Sequence, residues 1–407
     1  MKGDLNKRFT SNLVPLYVLQ LFNYIAPFMI IPLLTRVLPT EEFGAVMIAF
    51  AVTQVAFVIT DYGFSSSAVA EISRNSNRDF INDKISRIFT AKIFLILICM
   101  VMLSCMLLIE SFSSYSTIFL ATAGCIIAQS FQPIWLFHGL QRMGKLAVYI
   151  GITKLLYVIL VFCLVEGAGD GDLVMWSWSI SNFFGAIISL FIVKKLGYKI
   201  AFSSLDLGVK ELSYNVQFFI SRLAVASYTN ASSFLVGAQS LAQSAVYSSA
   251  EQGYKAGQSV SAPVAQALFP LMANGGDWKG FLKIIALVFL VLLFIGAGTA
   301  YYSDFIVRFV FGDKYSEVAG VLSVFMVTLA VNFLGVVFGY PACAAIDRMD
   351  IANKTVVIGA VAYFVLAAVL NVYDLISAMT IAVLVLLTEV FVFIARAFWL
   401  FSVLRRS

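Results

Sequence analysis

Long apolar runs that carry almost no charge dominate this chain. Of its 407 residues, 61% are hydrophobic and only 12% are charged, whereas a soluble domain has about 45–50% apolar and about 25% charged residues. A helical run of about 20 apolar residues matches the hydrocarbon core of a bilayer, which is about 30 Å thick. Because backbone groups inside lipid must be hydrogen-bonded within their own segment, such runs favour helices. We therefore predict an all-α integral membrane protein.

Twelve segments are apolar and long enough for us to predict a transmembrane helix in each. They are residues 12–34, 43–60, 90–109, 115–137, 146–166, 173–193, 214–236, 242–272, 281–302, 318–340, 352–372 and 376–402. The basic start leads directly into the first segment without a small-residue cleavage site, so we interpret that segment as a span and not as a signal peptide. Segments 214–236 and 242–272 are rich in Ser, Gln and Asn and are the least typical.

The predicted spans divide six and six around a polar connection. We predict an N-terminal lobe at 1–195, a cytoplasmic linker at 196–212 and a C-terminal lobe at 213–407. Two halves of similar length suggest a parallel repeat with a cargo site between the halves. We therefore expect two six-helix lobes around a central hydrated cavity.

Lysine and arginine residues set the predicted orientation. With the N-terminus in the cytoplasm, twenty of the 27 basic residues fall in cytoplasmic segments, including Lys84 and Lys92. Only three, Arg36, Arg308 and Lys314, fall in outer segments. This distribution follows the positive-inside rule and predicts that both termini are cytoplasmic. It also requires segment 242–272 to cross the membrane, because otherwise every later loop would change sides.

The predicted span at 242–272 carries a polar stripe. Its members recur at steps of three, four or seven residues and therefore share one helical face. They are Ser244, Ser248, Glu251, Lys255, Ser259 and Gln266. A charged stripe within a membrane is costly unless it meets water, a counter-ion or a cargo. We expect Lys255 to face an anion, and the alternative is that it pairs with Glu251 four residues earlier.

Two further cations lie near the middle of predicted spans. Each intramembrane charge costs about 2.5–3.5 kcal/mol on insertion scales, so neither is expected to face lipid. Arg222 has no acidic residue within its own span, and its planar guanidinium suits phosphate, so we predict an anion contact there. Lys154 stands among apolar neighbours, and it either faces the cavity or extends toward the cytoplasmic end of its helix.

Three carboxylates are candidates for taking up a coupling ion, namely Glu251, Glu389 and Asp61. Glu389 and Arg396 are seven residues apart on one helical face, so an ion pair that joins two helices is the alternative for Glu389. Asp61 lies two residues before a glycine, and its alternative role is to end a helix that closes with a turn.

Metal, cofactor and enzymatic roles are not expected. His138 is the single histidine, and the five cysteines form no CxxC pair, so no metal site is predicted. Zinc-protease, serine-hydrolase and Walker motifs are absent from the sequence, so we predict neither an enzyme nor transport driven by ATP hydrolysis in this chain. A polysaccharide polymerase or ligase would need a sizeable outer loop, and the predicted outer loops are short. No nucleic-acid partner is expected.

Several short motifs point to one family. They are PLLTRVLPTEEFG at 32–44, DYGFSSSA at 61–68 followed by EISR at 71–74, and PIWLFHGLQRM at 133–143. Further similarity lies in Tyr228-Thr-Asn230, Val246-Tyr247 and Phe269-Pro270. In these motifs the chain resembles Wzx-type O-antigen flippases of the multidrug/oligosaccharidyl-lipid/polysaccharide exporter superfamily. His138 stands where that family usually has Gln.

The resemblance implies a bacterial inner-membrane flippase that moves undecaprenyl-diphosphate-linked oligosaccharide by alternating access, coupled to a proton or sodium gradient. Its implied partners are membrane lipids, a polysaccharide polymerase and a chain-length regulator. The alternative is an ion-coupled exporter of small molecules such as drugs in the same superfamily. The predicted substrate-binding residues are Arg222, Lys255, Lys154, Tyr228, Tyr247, Tyr254 and Gln252.

Overall fold

The computed structural model describes the backbone of residues 26–404 except 28, 76, 274–277 and 347. Side chains are described over the same ranges except at 217–218, 220–231, 260–262, 266, 270–271 and 273. Every regular element in this part of the chain is helical. The predicted all-α class is therefore confirmed.

The helices follow one another with short connections. In the first half they are α1 (29–37), α2 (Thr40–Asp61), α3 (Phe64–Arg74), α4 (Arg78–Met106), α5 (Glu110–Ser113), α6 (Ser116–Ser130), α7 (Ile134–Gly139), α8 (Met143–Leu164), α9 (Gly171–Lys195) and α10 (Leu205–Gln239). In the second half they are α11 (Leu241–Ala273), α12 (Trp278–Tyr301), α13 (Ser303–Phe311), α14 (Val318–Phe338), α15 (Tyr340–Ala344), α16 (Met349–Val372) and α17 (Ala378–Leu404).

Nine helical segments in the described residues are long and apolar enough to cross a membrane. They are Thr40–Asp61, Arg78–Met106, Ser116–Gly139, Met143–Leu164, Gly171–Lys195, Trp278–Tyr301, Val318–Ala344, Met349–Val372 and Ala378–Val403. The chain is thus a multi-pass membrane protein. Most of the predicted span 12–34 lies outside the described residues, and α10 and α11 are not among the nine. The count of twelve spans stays a prediction.

Prolines and glycines divide two of the predicted spans. Segment 115–137 consists of α6 and α7, which are separated at Pro133, a residue that has no N–H to continue the helical ladder. Segment 318–340 ends with α14, and α15 follows with Pro341 in its first turn. Residues 61–89, which connect two predicted spans, are mostly helical, because α3 and the first turns of α4 occupy most of them.

The chain forms two compact units, Met1–Ala226 and Ser227–Ser407, and we refer to them as unit 1 and unit 2. In unit 1, α9 packs against α2, α6 and α8, and α4 packs against α2 and α6. Large aromatic side chains such as Trp135, Phe137 and Tyr149 fill its core. The predicted linker at 196–212 stays a prediction, and its second part, from Leu205, is helical.

In unit 2, α14 is the central helix. It packs against α11, α12 and α17, and α16 packs against α17. The approach of α11 to α14 depends on two glycines four residues apart. A methyl group on Gly253 would lie 2.8 Å from Leu322 Cδ1, and one on Gly257 would overlap the Leu329 side chain even more closely. Small residues at this spacing allow two membrane helices to pack closely.

Candidate functional site

Lys154 lies beside a cluster of aromatic rings in unit 1. The cluster consists of Phe50 on α2, Tyr157 on α8 and Trp178 on α9, and we call these three residues with Lys154 the Lys154 site. Lys154 Nζ lies over the indole of Trp178, 5.9 Å from the ring centroid. The Phe50 and Trp178 centroids are 4.5 Å apart, and those of Tyr157 and Trp178 are 6.2 Å apart. Lys154 and Tyr157 share a face of α8 because they are three residues apart.

Polar groups of the Lys154 site are left with few partners. Among the described residues, no carboxylate forms an ion pair with Lys154, which is partly buried. The Tyr157 hydroxyl is buried and has no hydrogen-bond partner in the same part of the chain. A buried polar group normally finds a partner, so such a group points to a ligand, water or strain.

Lys255 and Glu251 form an ion pair on α11. Lys255 Nζ lies 2.8 Å from Glu251 Oε2, and the Lys255 side chain is 40% exposed while that of Glu251 is 7% exposed. The Ser233 hydroxyl donates to the same carboxylate oxygen at 3.5 Å. The pairing alternative described above is therefore the observed geometry, and one side of Lys255 remains accessible.

The other predicted substrate-binding residues differ in placement. The side chains of Arg222 and Tyr228 lie outside the described residues. Tyr247 and Tyr254 are buried and pack on Phe325 of α14, with centroids 5.4 Å and 5.2 Å away. Gln252 is partly buried. In this structure the two buried tyrosine rings therefore present no open face to a sugar.

Glutamine side chains of α10 and α11 hydrogen-bond to later helices. Gln239 donates to Asn371 at 2.9 Å, and Gln258 donates to Asn332 at 3.1 Å. Gln243 donates to Glu317 and accepts from the backbone N–H of Ala378. Within unit 2, these hydrogen bonds join the end of α10 and the helix α11 to later helices, and α11 is also held by its glycine packing on α14.

Asp61 stands at the end of α2. The backbone is left-handed at the next two residues, with φ of 46° at Tyr62 and 84° at Gly63. Burial raises the pKa of the Tyr62 hydroxyl above its ordinary value. The Ser65 hydroxyl donates to the Asp61 carboxylate, which is buried. This is the helix-end geometry described as the alternative for Asp61, and its role in ion coupling stays a prediction.

Glu389 and Arg396 are both buried in unit 2. Arg396 donates to the carbonyl oxygen of Gly335 at 2.6 Å, to that of Ala352 at 3.1 Å and to Thr355 Oγ1 at 3.1 Å. The guanidinium thus joins α17 to α14 and α16. A methyl group on Gly335 would lie 3.7 Å from Glu389 Oε2, which places that carboxylate beside α14 as well.

Sequence reasoning missed a buried charge network in unit 1. Lys84 Nζ lies 2.8 Å from Glu71 Oε2 and 2.7 Å from Glu211 Oε1. Asn215 donates to Glu211 Oε1 at 3.0 Å, and Ser67 donates to Asn215. The network joins α3, α4 and α10. Its acidic members are far from Lys84 in sequence, so no local spacing revealed it.

Lys92 is a second basic residue that the sequence analysis assigned to the cytoplasmic side. It is buried, and its Nζ donates to the carbonyl oxygen of Ser130 at 2.6 Å. Ser130 is the last residue of α6, and Pro133 follows three residues later. The last carbonyl groups of a helix have no helical partner, and a nearby cation stabilises such a helix end. Asp61 also interacts electrostatically with Lys92 and with His138. Lys84 and Lys92 are thus both buried inside unit 1, and their assignment to the cytoplasmic side stays a prediction.

In the part of the chain that the structure describes, nine candidate membrane-crossing helices with polar groups buried among them define a multi-pass membrane protein. The chain belongs to the polysaccharide biosynthesis protein family, whose family model matches residues 9–275. This family match confirms the resemblance that the sequence motifs indicated.

Two curated relatives carry the description "Putative O-antigen transporter". The relative from Shigella dysenteriae is 26% identical over 393 residues, which cover 94% of this chain and 97% of that protein. The relative from Escherichia coli (strain K12) is 27% identical over 271 residues, which cover 65% of this chain and 64% of that protein.

Solved structures share the fold. The lipid II flippase MurJ in an inward closed conformation superposes with a TM-score of 0.70 and 14% identity, covering 96% of this chain and 87% of that one. An outward-facing multidrug resistance MATE family transporter of the MOP superfamily gives a TM-score of 0.57 and 14% identity, covering 97% and 94%. At such identities the likeness concerns the fold alone.

Proposed function

We propose that this protein is a flippase for undecaprenyl-diphosphate-linked oligosaccharide, an O-antigen or related repeat unit. The observation that carries the proposal is the Lys154 site, where a cation lies inside a membrane protein without a carboxylate partner among the described residues. Such a cation suits a cargo that brings its own negative charge, and a diphosphate brings at least two. The family and the two O-antigen transporter relatives support this choice of cargo.

Magnitudes favour an external anion for Lys154. Placing a lysine in the membrane interior costs about 2.5–3.5 kcal/mol on insertion scales. A cation–π contact contributes about 0.5–1 kcal/mol when exposed and about 2 kcal/mol when desolvated, and the 5.9 Å separation from Trp178 is near the limit of such contacts. The ring therefore offsets only part of the cost of the charge. A phosphate contact, which is charge-assisted, would supply the remainder while cargo is bound.

We propose that other residues also contact the cargo. Lys255 keeps an accessible side while paired with Glu251, so we propose it as a second phosphate contact, and Arg222 remains our predicted third. Gln252 and Tyr228 are proposed to bind sugar hydroxyls and rings. We leave Tyr247 and Tyr254 out of this set because their rings are buried against Phe325.

We further propose that an ion gradient drives alternating access between two six-helix lobes, which we assign to 1–195 and 213–407. Glu251, Glu389 and Asp61 are buried carboxylates and are the proposed carriers of a proton or sodium ion. We propose that the protein lies in the bacterial inner membrane with both termini in the cytoplasm. A polysaccharide polymerase and a chain-length regulator are its proposed partners.

Reconstituted vesicles test the proposal. The purified protein is inserted in liposomes that contain undecaprenyl-diphosphate-linked oligosaccharide, and a lectin added outside measures the glycan that reaches the outer leaflet. Wild type is expected to expose the glycan faster than empty liposomes. Lys154→Met is expected to reduce the rate at least tenfold, and Lys154→Arg to retain part of it because the charge is kept.

Lys145→Met is the matched control, because it also removes one positive charge from α8, but from the first turn of the helix and outside the Lys154 site. It is expected to flip at the wild-type rate. Equal rates for Lys154→Met and wild type would remove Lys154 from the mechanism. No flipping by wild type would contradict the proposed function itself.

The MATE-like fold gives one reason to keep a second candidate, an exporter of small cationic drugs. The same vesicles distinguish the two functions. An exporter would accumulate a fluorescent dye against an ion gradient and leave the lipid-linked glycan where it was. For that function, an unpaired lysine in the cargo site would be unfavourable, because like charges repel.

A further inference from the structure

The short helix α13 connects α12 to α14 and has two unlike faces. Val307 and Phe311 are buried on one face, where α13 packs against α14. On the other face Phe305 is 68% exposed and Phe309 is 70% exposed, with their rings stacked at 6.2 Å. Tyr301, at the end of α12, is 81% exposed. Large aromatic groups are rarely exposed together unless a membrane or partner covers them.

The length of α12 limits where α13 lies. The 24 residues of α12 extend about 36 Å at about 1.5 Å per residue, which exceeds a hydrocarbon core of about 30 Å. The length of α12 is therefore sufficient to bring α13, which starts two residues later, to the level of the lipid headgroups. That level is where aromatic residues with an apolar ring concentrate in membrane proteins.

The exposed face of α13 continues a lipid-facing surface. Most of α12 is exposed and apolar, including Leu287, Leu290 and Phe294, as expected for a helix that borders acyl chains. The aromatic face of α13 follows directly after it. Arg308 is the basic residue of this short helix and is also exposed, with Nε at 3.9 Å from Asp313, a distance that leaves the guanidinium weakly held. A weakly held arginine beside aromatic rings fits a layer of lipid phosphates.

We infer that α13 is an interfacial helix that inserts its aromatic face among phospholipid headgroups and thereby fixes the connection between α12 and α14 to one surface of the bilayer. The occupant of this face is the headgroup layer of the membrane. Amphipathic helices with aromatic residues on one side and a basic residue beside them bind membranes in this way. The inference concerns a surface in unit 2 and does not depend on the cargo.

Depth-dependent fluorescence quenching tests the inference on the full-length protein in phospholipid vesicles. Phe305→Trp adds one indole to the five tryptophans of the chain, and the added emission is obtained by subtracting wild type. Lipids brominated near the glycerol backbone are expected to quench it more strongly than lipids brominated near the end of the acyl chains. Thermal unfolding is measured in parallel to establish that the variant folds like wild type.

Two matched positions calibrate the depth. Leu290→Trp, near the middle of α12, is expected to be quenched more by bromine near the chain ends. Asp313→Trp, after α13, is expected to be quenched by aqueous iodide, because its side chain is 92% exposed. If Phe305→Trp behaves like either of these positions, or if neither kind of quencher reaches it, α13 is not an interfacial helix.

Discussion

The carboxylate of Glu42 is hydrogen-bonded to the first residue of α9, because its Oε1 accepts a hydrogen bond from the backbone N–H of Gly171 at 2.6 Å. The second carboxylate oxygen, Oε2, accepts a hydrogen bond from the backbone N–H of Gly169 at 2.9 Å. A helix N-terminus has backbone N–H groups without helical partners and carries a partial positive charge, so a buried carboxylate stabilises it. Glu42 belongs to the motif at 32–44, and its contacts give that part of the motif a structural role.

Replacement of Glu42 is expected to lower stability without altering the cargo site. Glu42→Ala leaves both N–H groups without their acceptor, and hydrogen bonds to a charged group contribute about 1.5–3 kcal/mol. We expect a lower melting temperature in detergent, with residual folded protein still active in the vesicle assay. Glu41→Ala is the control, since the neighbouring Glu41 is exposed. Equal melting temperatures for the two variants would contradict the role of Glu42.

The network around Lys84 is expected to contribute more to stability than an exposed pair on the same helix. Lys84→Met leaves Glu71 and Glu211 without their cation, and breaking a buried pair in this way costs about 3–5 kcal/mol. Because Glu71 is partly exposed, we expect a loss near the lower limit. Arg87→Met breaks an exposed pair with Asp83 and is expected to cost about 0.3–0.5 kcal/mol.

The measurement is thermal unfolding of both variants in the same detergent. A shift for Arg87→Met as large as that for Lys84→Met would show that the burial of the network has no special effect. Replacement of Lys84 and Glu211 together, by Met and Gln, is expected to recover part of the loss, because less negative charge is then left unpaired.

A double-mutant cycle separates the two roles of Lys255. If the residue serves mainly to neutralise Glu251, Lys255→Met destabilises unit 2 and the added change Glu251→Gln restores stability and flipping together. If Lys255 binds phosphate, the double variant recovers stability and stays impaired in flipping. We expect the second result, with a coupling free energy of about 0.5–3 kcal/mol between the two residues. Full recovery of flipping would remove Lys255 from the cargo site.

Arg396 is expected to be irreplaceable by lysine. Its guanidinium donates to two carbonyl oxygens and one hydroxyl at fixed angles, and a single ammonium group cannot reach all three. We expect Arg396→Lys to lower the melting temperature nearly as much as Arg396→Met. Lys354→Met on α16, which removes an exposed cation, is the control and is expected to change little. Wild-type stability of Arg396→Lys would show that charge alone suffices.

The helices of this protein were largely predictable because apolar run length alone fixes where most membrane helices lie. The division of two segments at Pro133 and Gly339 was not, since membrane helices also tolerate such residues without a break when neighbours satisfy the freed backbone groups. The first span and the total of twelve remain predictions, because residues 1–25 lie outside the described chain and α10 and α11 are only weakly apolar.

The site was predictable where its partners are near in sequence. The Glu251–Lys255 pair follows from a spacing of four residues, and Lys154 was conspicuous as a charge in an apolar run. Trp178, which lies beneath Lys154, comes from another helix and gave no local signal. The buried contacts of Lys84 and Lys92 gave no local signal either, because their partners on α3, α6 and α10 meet them only after the helices have packed.

The hydrogen bonds of α10 and α11 have a consequence for how the protein is made. Ser232, Gln239 and Gln258 find their partners in Tyr363, Asn371 and Asn332. Those partners are synthesised dozens of residues later than the two weakly apolar helices. We therefore expect α10 and α11 to become stable in the bilayer only after α14 and α16 have been made.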